Sequence, residues 1–86
     1  MTSKTEIQGW FDRGVREGKK YMIVVCDTFD REDYPSYASD DEECREKLRH
    51  YRTAEMQRVM EVYNLTRDRD AQMAQHRANN GPDSAL

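Results

Sequence analysis

The stretch Tyr21-Met22-Ile23-Val24-Val25-Cys26 constrains this chain more than any other. Six apolar residues in a row, rich in β-branching, are too few for a helix of their own, and Lys19-Lys20 and Asp27 bound them. Such a run reads as a strand covered on both faces, hence the centre of the fold. Covering two faces is demanding for 86 residues. A chain of this length makes one domain and buries only roughly 60–65% of the surface its unfolded form exposes. At 36% hydrophobic and 36% charged, with mean hydropathy -1.13, it has little apolar material to spare. A deep catalytic cleft is hard to build from that, so the expectation leans away from an enzyme.

The flanking sequence supplies the cover. Ser3-Lys4-Thr5-Glu6 has the form of a capping box, and Ile7, Trp10, Phe11, Gly14 and Val15 follow at the spacing of one helical face, with Gly18 as a left-handed stop. The spacing predicts a helix over residues 4–17. After the apolar run, a polar turn leads to Tyr34-Pro35-Ser36-Tyr37-Ala38, whose proline assigns it to a sheet edge. Sequential strands usually pair, so a two-stranded hairpin of residues 20–28 and 34–38 is expected. Ser39-Asp40-Asp41-Glu42 is a second capping pattern, and Cys44, Leu48 and Tyr51 continue a helical stripe. Met56, Val59, Met60 and Tyr63 form another in a shifted phase, which favours a bend near Arg52-Thr53-Ala54. The expected fold is a single α+β domain over residues 1–78: N-terminal helix, two-stranded β-hairpin, then two or three helices. Residues 79–86 are expected to be a disordered tail. The expected core holds Ile7, Trp10, Phe11, Val15, Ile23, Val25, Leu48, Tyr51, Val59 and Tyr63.

Charge and cysteine usage narrow the setting. A net charge of -3 neither marks a nucleic-acid binder nor imitates DNA by bulk charge. Cys26 and Cys44 form no CxxC, and no apolar run approaches the length of a membrane span or a signal peptide. A cytoplasmic protein with reduced thiols is expected, with no cofactor and no membrane contact.

The acids are unevenly placed. Asp27, Asp30, Glu32, Asp33, Asp40, Asp41, Glu42 and Glu43 are 8 of the 17 in the chain, against the single base Arg31 in that interval. Capping accounts for the last four. The first four are interleaved with aromatics, and aromatic anchors ringed by carboxylates suit a basic protein partner. Phe29, Asp30, Glu32, Asp33, Tyr34 and Tyr37 are the expected binding surface. An alternative is a hard cation held by Asp27, Asp30 and Glu32 at the mouth of the strand, in a metal-dependent enzyme or switch. The spacing matches neither a D-x-D phosphotransfer motif nor an EF-hand loop. A homodimer through the edge strand of residues 34–38 is compatible with either reading.

The runs Trp10-Phe11-Asp12-Arg13-Gly14, Tyr21 to Asp30, Glu32-Asp33-Tyr34-Pro35 and Met60-Glu61-Val62-Tyr63-Asn64-Leu65 resemble a group of small uncharacterised bacterial and bacteriophage proteins. The likeness spans most of residues 7–78. It carries no activity and no catalytic residues. It implies a small cytoplasmic protein of a phage or mobile element that acts by binding another protein.

Overall fold

A computed structural model describes residues 3–74 and Gly81 of this protein. Its elements run α1 (Lys4–Arg16), β1 (Tyr21–Asp27), β2 (Glu32–Ala38), α2 (Asp41–Thr53), β3 (Gln57–Asn64) and α3 (Arg69–Met73). The apolar run is the middle strand of a three-stranded antiparallel sheet of order β2-β1-β3. β1 and β2 form the expected hairpin. β2 and β3 both run opposite to β1 and so run parallel to each other, which requires a crossover, and α2 supplies it.

Both faces of β1 are covered, and alternation sorts its side chains. Met22 and Val24 pack with Phe11, Tyr63, Leu65 and Met73 under α1 and α3. Tyr21, Ile23 and Val25 pack with Ala38, Cys44, Leu48 and Val62 under α2. The result is a helix–sheet–helix sandwich built around seven residues of chain.

The helix ends follow from their sequences. Ser3 Oγ accepts from the Glu6 amide at 3.2 Å. At the other end Gly18 (φ 73°) takes the left-handed turn, while Gly18 N–H donates to Val15 O and Lys19 N–H to Gly14 O at 3.1 and 3.0 Å. This pair of hydrogen bonds closes a Schellman motif. At α2 the cap sits one residue later than the S-x-x-E pattern places it. Asp40 Oδ1 accepts from Glu43 N–H at 2.7 Å, and Glu43 Oε1 accepts from Ser39 N–H at 2.8 Å. Asp41 joins α2 to the start of β1, accepting from Tyr21 Oη and from Lys20 Nζ, each at 2.8 Å.

Two expectations are corrected. The chain does leave the helix at Ala54, but the stripe Met56–Val59–Met60–Tyr63 enters a strand. Its members share no face: Met56 lies in the turn before β3, Val59 packs under α2, Tyr63 packs under α1, and Met60 is the extra residue of a β-bulge, since Val24 opposes Glu61 and Val25 opposes Val59. Val59 and Val62 therefore share the α2 face although they lie three apart, a spacing that mimics a helix turn. Val15 is also not core. It is 49% exposed, because the buried stripe of α1 runs through Ile7, Trp10, Phe11 and Gly14 and the helix turns Val15 outward. The boundary at residue 78 and, Gly81 apart, the tail 79–86 lie outside the described residues.

The sheet edges are finished by side chains. Leu65 N–H bonds to Lys20 O at 2.8 Å and Thr28 N–H to Met56 O at 2.9 Å. These bonds bracket the β1–β3 ladder, so Tyr21–Asn64 and Asp27–Gln57 are non-hydrogen-bonded pairs there. Asn64 thus turns its main-chain groups away from β1, and the Gln72 amide of α3 takes both: Asn64 N–H donates to Oε1 at 2.7 Å and Nε2 donates to Asn64 O at 2.8 Å. By the same alternation Asp33, Pro35 and Tyr37 face outward on β2. Pro35 has no N–H to offer, and Lys47 Nζ of α2 donates to Tyr37 O.

Candidate functional site

The connection from β1 to β2 is residues 28–31, closed by the pair Asp27–Glu32. Asp27 organises it. Its Oδ1 accepts from Phe29 N–H at 2.9 Å and Asp30 N–H at 3.4 Å, an Asx turn at the strand end. Arg31 then takes a left-handed conformation, φ 58°, to re-enter β2. This turn pushes Phe29 into solvent, where it is 72% exposed.

The turn between α2 and β3 lies alongside. Thr28 N–H donates to Met56 O, which holds the two loops together. Met56 is 51% exposed. Asp27, Phe29, Ala54, Glu55, Met56 and Gln57 line an open cleft of about 500 Å³ between the loops. Two large apolar side chains thus flank one hollow, with Asp27 and Glu55 among its lining residues.

The six residues expected to form one binding surface do not form one. Phe29, Asp30 and Glu32 are exposed at the hairpin end, and Asp33 is half-buried beside Cys26. Tyr34 and Tyr37 are three apart on a strand and so point to opposite faces. Tyr34 lies under α2, edge-on to Tyr51 at 6.5 Å, and its hydroxyl accepts from Gln57 Nε2 at 2.6 Å. Tyr37 lies under α1, and its hydroxyl donates to Trp10 O at 2.7 Å. It pairs with Met22, five rungs or about 17 Å from the Asp27–Glu32 pair. Burial pushes both phenols above the ordinary tyrosine range. Tyr34 still serves the site indirectly, because it holds Gln57 in the cleft wall.

Of the three acids proposed for a cation, Asp27 has one oxygen committed to the turn amides. Among the described residues no three His, Cys, Asp or Glu side chains are gathered as a metal site. Burial, then the neighbouring Asp33, raises the Cys26 thiol, which leaves it a poor nucleophile. Met56, Ala54, Glu55 and Gln57 carried no signal in the sequence. Met56 in particular sits in a spacing that assigns it to a core.

No family model matches the chain, and no curated protein or solved structure shows significant similarity to it. Among the described residues no helix is long and apolar enough to cross a membrane.

Proposed function

We propose that this chain is a non-enzymatic interaction protein that docks a partner protein on its hairpin end, with Phe29 and Met56 as anchors. One observation carries the reading: two exposed large apolar side chains from separate loops converge on one cleft, held there by the Thr28–Met56 bond. A small domain with little apolar material gains nothing in stability from such a pair in solvent. Aromatic and methionine side chains are the common anchors of interface centres. Asp27, Asp30, Glu32 and Glu55 surround them, which suits a partner with basic residues around an apolar one. A small cytoplasmic phage or mobile-element protein that binds a host or phage protein is the setting the resemblance implies.

The test is a capture experiment from bacterial lysate with the wild type and a Phe29→Ser/Met56→Ser variant. Both substitutions lie on the surface, so the variant keeps its fold and melts within about 0.5 kcal/mol of the wild type. Its specific partner is expected to be lost, while a Tyr37→Phe control retains it. Identical partner sets for all three proteins would remove the tip from consideration.

A further inference from the structure

The two edges of the sheet are not equally open. β2 is closed where a neighbour would bind, by the missing N–H of Pro35 and by Lys47 on the Tyr37 carbonyl. Among the described residues, β3 is closed only at its end, where Gln72 takes both main-chain groups of Asn64. Val62, two residues before Asn64, also turns its N–H and C=O outward. So does Gln57, by the geometry of the Asp27–Gln57 pair. The extra residue Met60 lets these two point the same way although they lie five apart. Neither is capped by a side chain in the manner of Asn64 among the described residues.

We propose that the β3 edge pairs with the β3 of a second copy of this chain, antiparallel about a two-fold axis between Val59 and Met60. In that register Gln57 faces Val62 and Arg58 faces Glu61, each pair occurring twice. The charges are self-complementary, and they fall on one face. Arg58 opposes Cys26 and Glu61 opposes Val24, which are same-face positions of β1. Arg58 is exposed and has no ion-pair partner among the described residues. Glu61 is held upright by the Tyr63 hydroxyl, which donates to Oε2 at 2.7 Å. Met60, 40% exposed in the monomer, meets Val59 of the second copy at the axis. The joined sheet has the order β2-β1-β3-β3-β1-β2. Both of its outer edges are then the closed β2 edge, so association stops at two copies and does not run on to a filament. The pairing does not depend on the hairpin end's having a partner.

Sedimentation equilibrium over micromolar to millimolar concentration tests it, with Arg58→Glu, Glu61→Arg and the double exchange. The wild type is expected to show a reversible monomer–dimer equilibrium. Each single exchange sets like charges against each other at two places and weakens dimerisation about tenfold, and the double exchange restores it. Circular dichroism melts of the same samples show that each single variant is folded. Glu61→Gln, which keeps a hydrogen-bonding group for Tyr63, supplies a milder single change if Glu61→Arg unfolds. A wild type that stays monomeric throughout overturns the proposal. So does a dimer indifferent to the single changes, or one that the double exchange fails to restore.

Discussion

Gly9→Ala and Gly14→Ala are the same chemical change in the same helix, five residues apart, and they are expected to have opposite signs. In a helix interior alanine is favoured over glycine by up to about 1 kcal/mol. At Gly9 a new methyl group meets nothing within 4 Å, so this gain is realised in full. At Gly14 the methyl carbon would lie 2.7 Å from Leu65 Cδ1, 2.7 Å from Tyr37 Cε1 and 2.9 Å from Tyr37 Cδ1. Neither neighbour can step aside cheaply. Leu65 is buried, and the Tyr37 ring is fixed at its far end by the bond to Trp10 O. Overpacking costs about 1–3 kcal/mol, and a pinned ring struck on two carbons belongs near the top of that range. Subtracting the helix gain leaves a net loss of about 2 kcal/mol. For a domain of this size 1 kcal/mol moves Tm by about 4–8 °C, so Gly14→Ala is expected to melt about 10 °C lower and Gly9→Ala about 5 °C higher. Thermal circular dichroism of the pair decides it. A Gly14→Ala protein that melts at or above the wild-type temperature would refute the close packing of α1 on Tyr37.

Two further outcomes follow from bonds already described. Gln72→Ala strips both partners from the Asn64 backbone, and with each unsatisfied buried group costing about 1–3 kcal/mol a loss of about 3 kcal/mol is expected in chemical denaturation; a loss under about 1 kcal/mol would show that water replaces the amide. The Asp41–Tyr21 contact makes stability depend on pH at both extremes. Lys20, then Tyr21, holds the Asp41 carboxyl below the usual carboxylate range, so its contribution is present above about pH 4 and lost as pH falls. Burial, then Asp41, pushes the Tyr21 phenol up to about 12, so its contribution is present below about pH 10 and lost as pH rises toward 12. Asp41→Asn should flatten the acid limb and advance the tyrosinate absorbance change toward lower pH; unchanged profiles would separate these residues.

How much of this was legible beforehand depended on whether local and tertiary signals agreed. They agreed at β1, where an uninterrupted apolar run can only be a doubly covered strand, and at α1 and α2, where caps and stripes coincide. β2 was legible from Pro35, which an edge tolerates and a central strand does not. β3 was not, because Met56, Val59, Met60 and Tyr63 have a helix's spacing only by coincidence: one is a turn residue, one is the bulge's extra residue, and the other two face opposite ways. No local residue announces a bulge there. The site was half legible. Phe29 stood out among acids, but Met56 comes from a loop distant in sequence, and only the fold brings them to one cleft. The grouping of Tyr34 with Tyr37 could have been rejected from spacing alone, since strand positions three apart face opposite ways. Asp27, the residue least explained by the sequence, has an ordinary role as the organiser of a turn.

Met60 has a meaning for how such a chain can change. Without it, β3 reads Gln-Arg-Val-Glu-Val-Tyr-Asn, which alternates without interruption, and every neighbour keeps the face it has now. The residue is thus an insertion that the core never sees. Losing it would straighten an outer margin of the sheet while leaving both layers of packing intact. A single codon gained or lost at this point therefore reshapes that margin, with no substitution in the interior required.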